Sequence, residues 1–274
     1  MGDVLGDDVL GDRVLRDCPL GKKVFASASY DPKHLFPIPR SRPFPFEGVD
    51  IWNGYELSWL NQKGRPEVAI GEFVFSCKSE NLIESKSFKL YLNSFSQTPF
   101  ASADEVTATI KKDLETCSRG DVAVTLRQAH NFGMCAIENF LGACLDHLDI
   151  AIDTYRPNSK LLRAGSGLTE ESLYTNLFQS NCPVTGQPDW ASIFIFYNGP
   201  KIDHEALLRY LISFRSHQGF HEAVTETIFL DILRECRPEK LSVSARFLRR
   251  GGLDINPFRS NFEKMPRNFR LPRQ

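Results

Sequence analysis

The sequence lacks the charge excess and the long apolar runs that are typical of proteins bound to nucleic acid or membranes. It has 33 Lys and Arg against 34 Asp and Glu, and its formal net charge is -1. Binding along nucleic acid or an anionic membrane surface needs a basic excess, and no apolar run approaches the ~18 residues of a membrane span. The first residues are acidic and have no apolar signal core. We therefore expect a cytoplasmic protein without direct nucleic-acid or membrane partners.

Motifs for the common metal and nucleotide sites are also missing. The 7 cysteines form no Cys-x-x-Cys pair, and Cys and His do not combine at metal-ligand spacing. Neither a G-x-G-x-x-G fingerprint nor a Walker loop occurs. We therefore expect free thiols in a reducing compartment, no metal site, and no Rossmann or P-loop nucleotide site.

Changes in composition along the chain predict three segments. Residues 1–46 form an N-terminal extension, in which a Gly-Asp-Val-Leu theme recurs over 2–17, followed by a proline-rich strap that the prolines hold extended. Residues 47–160 and 161–274 form two halves, joined by a linker at about 157–170. The chain is long enough for two such units.

Hydrophobic periodicity predicts the same order of elements in each half. Helices are predicted from Glu84, from a cap at Ser102, from a cap at Asp203, and over 221–236. Strands are predicted over 50–60, 66–76, 121–128 and 144–156 in the first half, and over 172–181, 190–197 and 241–248 in the second. Hairpins separated by a helix pair are typical of an antiparallel sheet with helices on one face. The predicted fold is therefore α+β, with two such halves in tandem.

One cysteine stands apart from the others in its surroundings. Cys182 lies in the turn-rich stretch Gln179–Trp190, between two apolar segments. Pro183 favours an extended backbone before it, and Asp189 follows on the same loop. These residues fit a nucleophile with a nearby proton donor, and they fit a buried structural cysteine equally well.

Three further stretches could carry chemistry. Glu84–Lys89 begins a helix and could bind a phosphate. Phe220–Glu222 could stack on a flat ring while a carboxylate accepts its N–H groups. Arg249–Pro257 places arginines beside two glycines, which allows close approach to a phosphate. Each stretch could also be a solvated helix start or turn, and the residues alone leave both interpretations open.

Taken together, these four stretches resemble one family, the NADPH-dependent 7-cyano-7-deazaguanine reductases, the nitrile reductases of queuosine biosynthesis. The resemblance is to the long form and covers about residues 20–274. It implies two tandem tunnelling-fold (T-fold) halves, at least a homodimer, and NADPH as cofactor. It also implies four-electron reduction of the nitrile of 7-cyano-7-deazaguanine to 7-aminomethyl-7-deazaguanine through a covalent cysteine thioimidate, a step in queuosine tRNA modification.

The resemblance also implies roles for individual residues. The implied catalytic residues are Cys182 as nucleophile, Asp189 as proton donor, and His221, which positions or protonates the intermediate. The implied substrate-binding residues are Ile83, Glu84, Ser85, Phe220, His221 and Glu222. The implied NADPH-binding residues are Ser85, Lys86, Arg250 and Gly251. We further expect the Arg- and Phe-rich stretch 258–274 to cover the site.

Two other classes of function stay open beside the reductase. Another T-fold purine or pterin enzyme, such as a cyclohydrolase-like hydrolase, would need a zinc site, and no second ligand stands near Cys182 at suitable spacing. A non-catalytic protein could bind a deazapurine or serve as a scaffold, but binding a planar base does not need a thiol beside an acid.

Overall fold

A computed structural model describes residues 29–40, 45–134 and 137–274. The N-terminal repeat at 2–17 and residues 41–44 of the strap lie outside the described residues. The described part of the strap is extended, as predicted, since Pro37–Pro39 forms a short strand.

The described elements follow one another as two similar series. The strands are Pro37–Pro39 (β1), Glu47–Leu60 (β2), Pro66–Ser76 (β3), Asn81–Ile83 (β4), Val122–Gln128 (β5), Ala143–Cys144 (β6), Ala164–Asn181 (β7), Pro188–Ile202 (β8), Lys240–Phe247 (β9) and Leu253–Ser260 (β10). The α-helices are Ser85–Ser94 (α1), Ala103–Ser118 (α2), His204–Ile212 (α3) and His221–Cys236 (α4). Short 3-10 helices cover Pro32–His34, Ala129–Met134, Ser159–Leu161 and Ser213–Ser216.

Eight of the strands form one continuous sheet in the order β5-β3-β2-β10-β9-β8-β7-β6. Neighbouring strands are antiparallel except for the short β6, which runs parallel to β7. The two halves meet where β10 pairs with β2, from Leu253 opposite Gly54 to Ser260 opposite Glu47. We call this β2–β10 pairing the seam. Strand β1 pairs separately with β4.

Both helix pairs pack on the same face of the sheet. In the first half, the Phe88 ring of α1 makes edge-to-face contacts with Trp52 of β2 and Phe73 of β3. Ile255 of β10 belongs to the same core, while Arg259 on the same face of β10 reaches Glu226 of α4. Because side chains alternate along a strand, Ile255 and Arg259 lie on the same side of β10. The helices of both halves therefore cover the same face of the sheet.

The two halves repeat each other in detail. Tyr91 near the end of α1 donates a hydrogen bond to Asp113 of α2, and Tyr210 of α3 donates one to Asp231 of α4, each at 2.7 Å. The second helix of each pair ends at an arginine in the left-handed conformation. These findings confirm the predicted α+β fold with a helix pair on one face of each half. The division at residue 160 stays a prediction, because the sheet is continuous between the halves.

Two sequence predictions near the middle of the chain were wrong. Residues 144–156 were predicted to be a strand, yet only Ala143–Cys144 pairs with the sheet. The Asp146 carboxylate accepts hydrogen bonds from the Asn176 backbone N–H and the Thr175 hydroxyl, which ties the segment to β7 without a ladder. The linker predicted over 157–170 ends early, since β7 already begins at Ala164.

A network of buried charges crosses the seam. Arg259, fully buried on β10, binds Asp50 of β2 at 2.8 Å and Glu226 of α4 at 2.6 Å. Arg40 of the strap forms a further ion pair with Asp50. Removing one partner of such a buried group leaves uncompensated charge in the interior. The network therefore holds β2, β10, α4 and the strap together.

Arg259→Ala is expected to lower the free energy of unfolding by roughly 3–5 kcal/mol, because two buried carboxylates lose their main partner. Chemical denaturation measures the change. The matched control is Arg65→Ala, which breaks an ion pair with Glu67 at an arginine whose side chain is 73% exposed, and which should cost about 0–1 kcal/mol. Equal losses in the two variants would contradict this role for the network.

Candidate active site

A cavity of about 230 Å³ opens on the helix-covered face at the seam. It lies between the N-termini of α1 and α4 and the loop that joins β7 to β8. The sequence-predicted residues that line it are Ile83, Ser85, Lys86, Cys182, Asp189, Phe220, His221, Glu222, Arg250 and Gly251. The structure thus brings every predicted site residue to this cavity except Glu84.

The β7–β8 loop holds Cys182 at the cavity wall. The Cys182 N–H donates to the Gln187 carbonyl at 2.8 Å, and the Gly186 N–H donates to the Cys182 carbonyl at 3.0 Å. Gly186 has a φ of +66°, a left-handed conformation that favours glycine. The Asn181 N–H donates to the His217 carbonyl at 2.8 Å, which fastens the loop to the segment before α4. These hydrogen bonds fix both ends of the tight loop that carries Cys182. The Cys182 side chain is buried.

Asp189 is the charged centre of the site. One of its carboxylate oxygens lies 2.6 Å from the Arg250 guanidinium, and the other lies 3.3 Å from Nε2 of His221. Arg250 also donates to the Pro188 carbonyl at 2.8 Å. Asp189 therefore connects an arginine on the β9–β10 turn with a histidine on α4, beside the loop that carries the thiol.

Glu222 is a buried carboxylate that lines the cavity. It lies in the first turn of α4, one residue after His221, and is 4% exposed. Burial and, to a smaller extent, the negative charge of Asp50 raise the pKa of Glu222 to about 7. An ionised Glu222 matches adjacent N–H donors on a planar ligand, and the Phe220 ring lies beside it on the cavity wall.

Glu84 has a structural task that the sequence analysis did not assign to it. Its carboxylate caps α1, accepting hydrogen bonds from the Lys86 N–H at 2.8 Å and the Ser87 N–H at 2.7 Å. It is buried, and that burial raises its pKa. Because Glu84 does not line the cavity, its contact with a base stays a prediction.

Part of the cavity lining is cationic. Lys86, Lys89 and Arg250 line it together with Gly251, whose φ of +60° favours glycine. Cations beside a helix N-terminus and a backbone without a side chain fit the phosphates of a dinucleotide. These residues therefore fit the expected cofactor.

Lys89, which belongs to the stretch Glu84–Lys89 that the sequence analysis names as a possible phosphate site, also lines the cavity. Sequence reasoning did not single out Trp52 and Ile255, since they reach the cavity only through the unpredicted seam.

The expected cover at 258–274 was wrong. None of these residues lines the cavity, and Asn268 instead binds Asn53 and Glu72 on the opposite face of the sheet.

Comparison with known proteins identifies one family over most of the chain. Residues 26–126 match the family model described as "Nitrile reductase, 7-cyano-7-deazaguanine-reductase N-term", and residues 188–266 match "QueF-like protein". The chain is similar to the NADPH-dependent 7-cyano-7-deazaguanine reductase of Burkholderia lata, with 52% identity over 268 residues, covering 93% of this chain and 98% of the relative. The reductase of the same name from Paraburkholderia xenovorans is 50% identical with the same coverage.

A solved structure, the crystal structure of the archaeosine synthase QueF-Like in the apo form, aligns at a TM-score of 0.31 and 14% identity. It covers 35% of this chain and 94% of that chain, a likeness too weak to carry an argument. Within residues 29–40, 45–134 and 137–274, no helix has the length and apolarity needed to span a membrane. The same residues contain no group of three or more His, Cys, Asp or Glu placed to hold a metal ion.

Glu222 gives a prediction about stability and pH. Its folded-state pKa is raised from 4.5 to about 7, so the folded protein holds this proton more tightly than the unfolded chain does. The stabilisation is present below pH 4.5 and is lost as the pH rises through about 7. Glu222→Gln cannot titrate and should escape this loss. Its stability relative to wild type should therefore rise between pH 4.5 and 8, by an amount on the order of 3 kcal/mol.

Urea denaturation of both proteins at several pH values measures the effect. The exposed Glu263→Gln should show no such pH-dependent difference from wild type. A difference between Glu222→Gln and wild type that stays constant across this range would show that the Glu222 pKa is not raised.

Proposed function

Because the chain belongs to the family of NADPH-dependent 7-cyano-7-deazaguanine reductases, we propose that it reduces the nitrile of 7-cyano-7-deazaguanine to the primary amine of 7-aminomethyl-7-deazaguanine. The reaction takes four electrons, which two hydride equivalents supply. One observation carries the proposal. Cys182, Asp189 and His221 meet at a single cavity whose lining also includes a buried carboxylate, Glu222, and the cationic side chains of Lys86, Lys89 and Arg250.

The deazaguanine base would bind beside Glu222. The ionised Glu222 carboxylate accepts hydrogen bonds from the adjacent N–H groups of a guanine-like edge. The Phe220 ring offers a flat apolar surface to the base, and Ile83 and Ser85 complete the wall. In this orientation the nitrile points toward Cys182.

The covalent step needs a thiolate and a proton donor. The Cys182 Sγ attacks the nitrile carbon, and a new C–S bond forms while one π-electron pair of the C≡N bond moves to nitrogen. The proton that the Cys182 thiol loses would pass to the Asp189 carboxylate, which then delivers it to that nitrogen and gives the thioimidate. His221 shares its Nε2 contact with the Asp189 carboxylate and so can keep the proton available at this position.

The cationic residues of the lining would hold the cofactor. Lys86 and Arg250 would contact its phosphates, and Gly251 would allow close approach of the backbone. When bound, NADPH supplies a hydride for each of the two reductions. After the first reduction, the C–S bond breaks and Cys182 leaves as the thiolate, while Asp189 and His221 provide the protons that the nitrogen takes up.

Burial of the reacting groups protects the chemistry. The free C=N intermediate would hydrolyse to an aldehyde if it met bulk water. Cys182 and Asp189 are each 8% exposed, and Glu222 is 4% exposed. As the resemblance implies, we extend the proposal to a cytoplasmic homodimer whose amine product serves queuosine tRNA modification.

NADPH consumption on addition of 7-cyano-7-deazaguanine tests the proposal directly. The wild type should consume two NADPH per nitrile, and Cys182→Ala should consume none. Mass spectrometry without NADPH should show a covalent adduct on the wild type that is absent from Cys182→Ala. Cys117→Ala, which changes a cysteine outside the cavity, should behave like the wild type in both assays.

Three other outcomes would contradict parts of the proposal. An adduct that persists in Cys182→Ala would remove the nucleophile assignment. Substrate binding without turnover by the wild type would favour the non-catalytic binding protein. Hydrolysis that depends on a stoichiometric bound metal would favour the cyclohydrolase-like enzyme.

Glu222 and Lys86 should affect different ligands. Glu222→Gln should weaken binding of the base about 10- to 100-fold, because an N–H donor of the base then faces an N–H of the amide. Its effect on NADPH binding should be small, since the proposal assigns Glu222 to the base and not to the phosphates of the cofactor. Lys86→Ala should show the reverse pattern. Calorimetric titration of each variant with each ligand measures both, and a loss in Glu222→Gln that is confined to NADPH would contradict the assignment.

A further inference from the structure

The imidazole of His221 stacks face to face on the ring of Phe247. The ring centroids are 3.8 Å apart and the planes differ by 7°. The other ring pairs of the described residues have centroids at least 4.9 Å apart. Most aromatic pairs prefer offset or edge-to-face arrangements, so this close parallel contact indicates that the surrounding structure fixes both rings.

Among the described residues, only one nitrogen of the His221 ring has a polar partner. The stacking contact with Phe247 is therefore the main restraint on the orientation of the ring. Nε2 faces the Asp189 carboxylate at 3.3 Å. Nδ1 is buried and has no hydrogen-bond partner among the described residues. A histidine that works on a substrate or metal usually has its second nitrogen held by a carbonyl or carboxylate. The orientation of this imidazole rests instead on the face of Phe247.

Phe247 is itself firmly placed. It is the last residue of β9, is 1% exposed, and packs edge-to-face against Phe178 with centroids 6.3 Å apart. Its carbonyl accepts a hydrogen bond from the Gln274 side chain at 3.0 Å. In the sheet register it stands opposite Ala191, two residues after Asp189 on β8. One strand pair therefore fixes both the carboxylate and the ring that His221 contacts.

We propose that Phe247 is a positioning residue for the reaction, holding the His221 imidazole so that Nε2 stays at the Asp189 carboxylate. The consequence for turnover rests on the proposed function, whereas the restraint on the imidazole does not. Phe247 touches neither the base nor the cofactor in this account.

The kinetic test compares Phe247→Leu with Phe229→Leu. Both remove a buried ring from the same core, and Phe229 lies on the same helix as His221 without contacting its ring. Phe247→Leu should lower kcat about 10- to 100-fold while KM for the base changes less than about threefold, because a misplaced proton donor affects chemistry more than binding. Phe229→Leu should lower kcat less than about threefold in folded protein. Equal losses of kcat in the two variants would overturn the proposal.

NMR of the His221 ring gives a second readout that does not depend on activity. In the wild type, the ring protons of His221, assigned by comparison with His221→Gln, should be shifted upfield by the Phe247 ring. In Phe247→Leu that shift should disappear, and the nitrogen resonances should show exchange between ring orientations. Unshifted ring protons in the wild type would overturn the proposal. Shifted protons in a wild type that lacks reductase activity would instead leave the restraint intact and reject the proposed function.

Discussion

The antiparallel pairing of β2 with β10 is the constraint on which the rest of the structure depends, because it joins two repeated halves into one sheet. The strands approach so closely at Gly48 that an added Cβ would stand 2.0 Å from the carbonyl oxygen of Phe258. Next to this point, Arg259 crosses from β10 to Asp50 on β2 and to Glu226 on α4. Since all three charged groups are buried, separation of the strands would leave unpaired charges in the protein interior. Backbone pairing and charge pairing therefore support each other.

The seam also explains the composition of the cavity. Trp52 and Ile255 are direct partners in the β2–β10 register and form part of the cavity wall. Helix α4 contributes Glu226 to the buried charge network and, one turn earlier, Glu222 to the cavity. The charge of Asp50 raises the pKa of Glu222, so the protonation of this carboxylate depends on the charges that hold the halves together. The buried charge network and the proposed ligand site therefore share helix α4.

Features that depend on neighbouring residues could be predicted from the sequence, and features that depend on distant pairing could not. Ser102 and Asp203 cap their helices by accepting from the N–H three residues onward, as expected, because a cap needs only its own turn. The strand Leu253–Ser260 mixes apolar with charged residues, and its pairing joins positions about 200 residues apart. When its partners are unknown, its polar side chains indicate a surface turn. Its position inside the sheet becomes evident only when Asp50 and the other partners are known. Glu84 shows a third case, since a carboxylate at a helix start fits a cap and a ligand equally well.

The fold is repeated, whereas the candidate site is found in one place. Glu84 and Asp203 both cap the first helix of their half, yet only the first of these helices borders the cavity. The hairpin loops also differ, because the β7–β8 loop carries Cys182 while the β2–β3 loop at 61–65 closes through Asn61 and contains no cysteine. The cavity takes α1 from the first half, and the cysteine loop and α4 from the second. The described part of the chain makes that combination once, at the seam. Neither half contains all of these elements, so the duplication of the fold is what builds a single site.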